Sequence, residues 1–259
     1  MDSITHITTG ALIGELMLGK KIGKKAMLWG ALAANAPDLD SVLYLFTDDV
    51  DSLVLHRGFS HSISAALLFS PLIGWVLNRW MPTVGWRKWS IFLLLQILLH
   101  NALDTATIYG TGLLVPFSDH RYSWDNIFVL DPLFTLPILF AFIVLLISGP
   151  NNSRRINWAR AGLVLSLAYM LMTFFNKSVV ESVFRSSLDK AGITYSQHFT
   201  APVILNNFLW HGVATVDSGH YVTHYSLFDE ARTAKLHFVP TQEHLLGKFS
   251  EDKNCLLYT

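Results

Sequence analysis

Cysteine is almost absent from this sequence, and the single Cys255 excludes both an internal disulfide and a cysteine-rich zinc site. Charge is scarce as well. Only 15% of the 259 residues are charged while 51% are hydrophobic, and the mean hydropathy of +0.38 is too apolar for an ordinary soluble domain of this length. The charge that is present cancels, 19 Lys and Arg against 19 Asp and Glu. No net field therefore recruits nucleic acid, and no basic stripe interleaved with aromatics offers an RNA groove. A secretory signal in its basic-then-apolar order is missing too: MDSITHITTGALIGELMLGKKIGKK is acidic at position 2 and carries its lysines after the apolar stretch, so it reads as a retained helix. No solenoid-like repeat period is present.

What the chain has in quantity is apolar runs. Residues 26–46, 63–77, 89–103, 127–147 and 161–175 approach the length needed to cross about 30 Å of hydrocarbon. Trp29, Trp75, Trp80, Trp86, Trp89 and Trp158 lie near their ends, where interfacial anchors sit. Lys20, Lys21, Lys24 and Lys25, then Arg79, Arg87 and Lys88, then Arg154, Arg155 and Arg160 fall in alternate connections. The intervening connections hold Asp38, Asp40, Asp48, Asp49 and Asp51, then Asp119 and Asp125. By the positive-inside rule the basic set is cytoplasmic, which predicts six crossings with the N-terminus outside. After residue 176 the pattern changes to strand-like pieces, FLWHGVATV and HYVTHYSLF, joined by DSG as a hairpin. The expected fold class is mostly α: a multi-spanning helical membrane bundle over residues 1–176, followed by a small extracytoplasmic α+β domain over residues 177–259.

The polar residues inside the apolar part fall at one depth. At about 1.5 Å per helical residue, His6 lies roughly 21 Å from Lys20 and Asp38 about 20 Å from Lys25. By the same measure His61 lies about 27 Å from Arg79, and His100 and Asp104 about 18 and 24 Å from Lys88. Ionisable groups within spanning patterns are costly and are normally functional. His100 and Asp104, spaced i, i+4, share one helix face. Together His6, Asp38, Asp40, His56, His61, His100 and Asp104 supply imidazole nitrogen and carboxylate oxygen without thiolate, a set that suits zinc first, with manganese or iron as alternatives. Seven candidate ligands exceed one tetrahedral ion, so one or two divalent ions are expected, with Asp38, Asp40 or Asp104 able to bridge.

The stretch HRGFSHS concentrates this chemistry. His56 and His61 are five residues apart, too far round a helix to share a face, so His56 belongs to a loop and His61 to the start of the incoming helix. Gly58 permits the turn and Ser60 is the expected N-cap. Arg57 offers a planar fork for a phosphate or carboxylate, or else balances Asp48, Asp49 or Asp51. Neither serine sits in a nucleophile elbow.

TH near the N-terminus, PDLD, HRGFSHS, HNALD and PFSDHRYSWDNIFVLDPL resemble the prokaryotic membrane-bound metal-dependent hydrolases, the YdjM-like inner-membrane proteins, densely over residues 1 to about 135. The resemblance implies a metal-dependent hydrolase of the inner membrane, with the seven residues above at its motif positions and Asp131 at its later acidic one. His120, His198, His211, His220, His224, His237 and His244 match no motif and read as surface or hairpin residues. The depth of the ligands suggests a lipid or lipid-linked substrate entering from the outer leaflet, and the expected reaction is cleavage of its ester or phosphoester bond. Arg57 would hold an anionic group, and Asp40 and Asp104 would serve as catalytic carboxylates. A metal-ion transporter, or a scaffold with a structural metal, would use the same ligands with different access. Reporter fusions after Lys25, Arg87 and Arg154 should read cytoplasmic and those near Asp49, Asp119 and Asn176 external; the same side for Lys25 and Asp49 would sink the six-crossing arrangement.

Overall fold

The computed structural model describes residues 1–46, 56–149, 152 and 154–242, the side chains of residues 43–46 excepted. Asp48, Asp49, Asp51, His244 and Cys255 lie outside the described residues. The chain divides into two compact units, Met1–Phe175 with Ile204–Asn207, and Asn176–Val203 with Phe208–Thr259. It is mostly helical, with one small antiparallel sheet near the C-terminus.

The first unit begins with α1 (Ser3–Ile22), capped by the Asp2 carboxylate, which accepts from the Thr5 amide at 3.0 Å. Gly23, at φ 58°, ends it in a conformation that favours glycine. The next helix, α2 (Lys25–Ala34), has only 10 residues, about 15 Å of rise. Residues 26–46 are thus not one spanning helix: Pro37 lacks an amide proton and disfavours helical backbone at Ala36, and the chain continues as a 3-10 segment, Pro37–Phe46. Glycine sets how α1 and α2 meet. A Cβ on Gly10 would overlap the Gly30 carbonyl and the Ala34 methyl, and one on Gly14 would overlap the Ala26 carbonyl.

A 3-10 turn, Phe59–His61, leads into α3 (Ile63–Trp80). Its N-cap is Ser62, whose hydroxyl accepts from the Ala65 amide at 3.0 Å, so the helix starts two residues later than a Ser60 cap would place it. The left-handed residue of this loop is Arg57, at φ 57°, and not Gly58. Helix α4 (Trp86–Thr105) follows Gly85; α5 (Pro132–Ile147) is capped by Asp131 and opens on proline, which needs no amide partner there. Helix α6 (Arg155–Lys190) supplies its first part to this unit and its remainder to the second.

Leu12, Leu103, Ile127, Ile138 and Leu145 form one core cluster, and Leu18, Ala26, Trp89 and Phe92 a second. Trp89 is therefore a core residue edge-on to Trp29 and Phe92, whereas Trp75, Trp80, Trp86 and Trp158 are exposed as anchors would be. Arg155 is also buried: its guanidinium grips Glu15 of α1 through two bonds of 2.7 and 2.8 Å and donates to the carbonyls of Leu145 and Ser148. Among the described residues one helix, α6, is long and apolar enough to cross a membrane, and α5 is apolar but shorter. Large apolar side chains are exposed along α3 (Leu67, Leu68, Leu72), α5 (Leu136, Phe140, Ile143) and α6 (Val164, Leu165, Leu171). Such surface marks contact with lipid or with another protein.

The second unit is the sheet β1 (Gln197–Pro202), β2 (Leu209–Val216), β3 (Gly219–Ser226) and β4 (His237–Pro240), in that order and antiparallel throughout. The two quoted strands pair through the DSG turn, with His211 opposite His224. Val180, Val183, Phe184 and Leu188 of α6 pack on Trp210, Ala214 and Tyr225 of the sheet.

Because the neighbours at Gly10 and Gly30 are mostly backbone, Gly30→Val should lower stability by about 1–3 kcal/mol or more. Gly149→Ala, with open space and no left-handed φ, should leave it within about 0.5 kcal/mol. Unfolding of the purified protein in detergent measures both, and equal stability of the two variants would contradict the close helix contact.

Candidate metal centre

His100 and Asp104 share the last turns of α4, and Asp38 enters from the first turn after α2 breaks at Pro37. His61 closes the 3-10 turn before α3. One ligand atom from each of Asp38, His61, His100 and Asp104 lies within 4.8 Å of all the others. His61, His100 and Asp104 are buried, and the Asp38 side chain is 26% exposed, so the cluster opens toward solvent on that side.

The hydrogen bonds around the imidazoles fix which nitrogens face inward. His100 Nδ1 lies 2.7 Å from the Ala34 carbonyl, which can only accept, so Nδ1 carries the proton and Nε2 is bare in the neutral ring. His61 Nδ1 faces the Asp40 carboxylate at 3.4 Å and the Ser60 hydroxyl at 2.9 Å, which likewise leaves Nε2 to the interior. The two Nε2 atoms are 3.0 Å apart. Asp38 Oδ1 lies 3.4 and 3.5 Å from them, and Asp104 Oδ2 3.6 and 3.7 Å. Two lone pairs and two carboxylate oxygens at this separation repel one another, and a cation among them reverses the sign. Ligands each about 2.0 Å from one tetrahedral ion are themselves roughly 3.3 Å apart, the spacing seen here. The residues fit a divalent metal, and Ala34 and Asp40 fit the outer contacts that orient metal-bound histidines.

The remaining expected ligands stand one layer out. His6 Nε2 meets Asp104 Oδ1 at 3.1 Å and its ring stacks on His100 with centroids 3.9 Å apart. The Met1 amine also contacts Asp104 Oδ1. Asp40 accepts from His56 Nδ1 at 3.0 Å, from the Arg57 amide at 3.3 Å and from the Ser60 hydroxyl at 2.5 Å. The structure thus gathers four donors at one point, the number one tetrahedral ion takes, with His6, Asp40 and His56 supporting them. Arg57 is buried with its Nε 3.1 Å from Asp104 Oδ2 and Nη1 3.1 Å from the Thr107 hydroxyl, using two of its five N–H donors. Asp131 caps α5 and accepts from Tyr169 at 2.8 Å, apart from the quartet. Sequence reasoning assigned Ser60 to a helix cap and missed Thr107 and the Ala34 carbonyl. Ser60 carried a signal, its place between two histidines, whereas the backbone carbonyl carried none.

The chain belongs to the YdjM inner membrane protein family, whose model matches residues 1–180 and so contains the whole quartet. It is 34% identical over 121 residues to the inner membrane protein YbcI of Escherichia coli (strain K12), covering 46% of this chain and 69% of that protein. It is also 32% identical over 151 residues to the "Uncharacterized protein YfhP" of Bacillus subtilis (strain 168), covering 56% of this chain and 46% of that one. The chain thus spans less than half the length of YfhP. No solved structure matches.

His61→Ala, His100→Ala or Asp104→Ala should each lower bound metal, read by elemental analysis of purified protein, whereas His220→Ala and His224→Ala should not. Asp40→Asn should retain metal with roughly 10–100-fold weaker affinity. Equal metal content across the set would mean that the cluster holds none.

Proposed function

We propose that this chain is a multi-pass inner-membrane metal-dependent hydrolase acting on an ester or phosphoester bond of a lipid or lipid-linked substrate at the outer face of the membrane. The observation that supports it most is the convergence of Asp38, His61, His100 and Asp104 beside the Arg57 guanidinium, with access left at Asp38. Four protein donors fill a tetrahedral ion, so hydrolysis here requires expansion to a fifth ligand, for which the exposed Asp38 side leaves room. When bound, a divalent ion, zinc by preference, supplies Lewis acidity toward the scissile group and acidifies water.

The protein residues do the rest. His61 and His100 present unprotonated Nε2 atoms because the Ser60 hydroxyl, itself bonded to Asp40, and the Ala34 carbonyl hold their Nδ1 protons. Asp104 holds both the cluster and Arg57. The three donors of Arg57 not used by Asp104 and Thr107 bind an anionic group of the substrate as a planar fork. Asp40, with both oxygens engaged, acts through Ser60 and His61 as a positioning residue. The multi-pass arrangement rests on the alternating charges of the connections and on the exposed apolar faces of α3, α5 and α6. The outer location of the site and of the sheet unit rests on those charges alone.

Arg57→Lys keeps the charge and loses the fork. It should retain metal and fold while turnover of an anionic lipid ester or phosphoester falls at least about tenfold, the equivalent of about 1.4 kcal/mol. The measurement is a substrate screen on the purified wild type followed by comparison of the variant. Unchanged turnover with metal retained would show that Arg57 serves only to balance Asp104.

A further inference from the structure

The first unit contains a second feature that the metal cluster does not use, a cavity of about 270 Å³ between α1, α4, α5 and α6. Its wall is apolar, formed by Leu103, Phe134, Ile138 and Met170 among others. Two residues with hydroxyls line it, and neither gives it polar surface. Ser166 donates to the Phe134 carbonyl at 2.7 Å, but Thr9 Oγ1 is buried without a partner, in a side chain only 6% exposed.

The position of the cavity follows from helix geometry. Leu99, Ala102 and Leu103 of α4, with Ala106 at its C-cap, line it, spaced i, i+3, i+4 and i+7 on one face, while His100 and Asp104 occupy the next face round. On α1, Thr9 is three residues, nearly one turn, beyond His6, which bonds to Asp104. The cavity therefore begins within one turn of the metal cluster on two helices.

Chemistry narrows the occupant. Clustered water needs two to four polar partners per molecule, which this wall does not offer. A peptide would leave its amides unpaired on this wall. We infer that the cavity holds one hydrocarbon chain of a lipid, with the head group at the metal cluster. The inference deepens the reading of the site as one acting on lipids and rests on that reading for the chemistry at the head group.

Trp124 lines the cavity and reports on it. Purified protein in non-ionic detergent is titrated with dibromostearate, whose bromines quench indole emission at contact, and bound metal is measured in the same samples. Saturable quenching in the wild type is expected. It should be lost in Trp124→Phe, and its half-point should move at least tenfold upward in Ala102→Phe, which fills the cavity. Leu167→Phe, at an exposed lining position, provides the same test without disturbing the core. Linear quenching without saturation, or an unmoved half-point in both filled variants, would overturn the inference. Absence of metal in every sample with saturable quenching intact would count against the metalloenzyme reading and leave the chain-binding cavity standing.

Discussion

An imidazole whose Nδ1 proton is held by an acceptor has only a lone pair to offer at Nε2, and His61 and His100 both meet that condition with their lone pairs 3.0 Å apart. Each local feature of the first unit can be understood as supplying one half of this arrangement. The break of α2 after Ala34 frees a carbonyl that an unbroken helix would have bonded to the amide of residue 38, and His100 takes it. The same break turns Asp38 toward the imidazoles and places Asp40 behind His61. A helix interruption inside an apolar segment would otherwise cost unsatisfied backbone groups. Here those groups become the outer contacts of the cluster.

The burial of charge follows a similar logic elsewhere. Glu15 and Arg155 lie inside the first unit with their fork geometry complete, and Arg155 satisfies two further carbonyls at the C-terminal end of α5. Removing one member of such a pair typically costs about 3–5 kcal/mol, because the other is left buried and unpaired. The pair ties α1 to the start of α6, and the cluster ties the opposite end of α1 to α4 through His6 and Asp104. The first helix is therefore anchored in its first turn and again past its middle by polar contacts inside an apolar body.

Level along the helices was legible in the sequence because rise is linear in residue number along a helix. That is why His6, Asp38, His61, His100 and Asp104 could be brought to one level before any packing was known. Position around the bundle was not legible. The separation of the quartet from His56, Asp40 and His6 depends on which side of each segment faces inward, and loops and 3-10 segments carry no periodicity from which to read that. Trp89 shows the same limit: its place near a helix end fits an anchor, but the face it occupies meets Trp29 and Phe92. The hairpin was legible because strand alternation and a short turn are local properties. The shift of the α3 cap from Ser60 to Ser62 was not, since Ser60 is drawn away by Asp40, a residue twenty positions earlier.

The seam between α1 and α2 has a meaning beyond packing. Gly10 lies one turn from His6, and Gly30 lies one turn from Ala34, whose carbonyl holds His100. At the seam the two backbones meet with almost no side chain between them, and no rotamer can change to absorb an error. The two glycines therefore act as a gauge block: the separation of the two main chains is set by atomic radii alone. That separation is carried, one turn further, to the two histidines stacked beside Asp104.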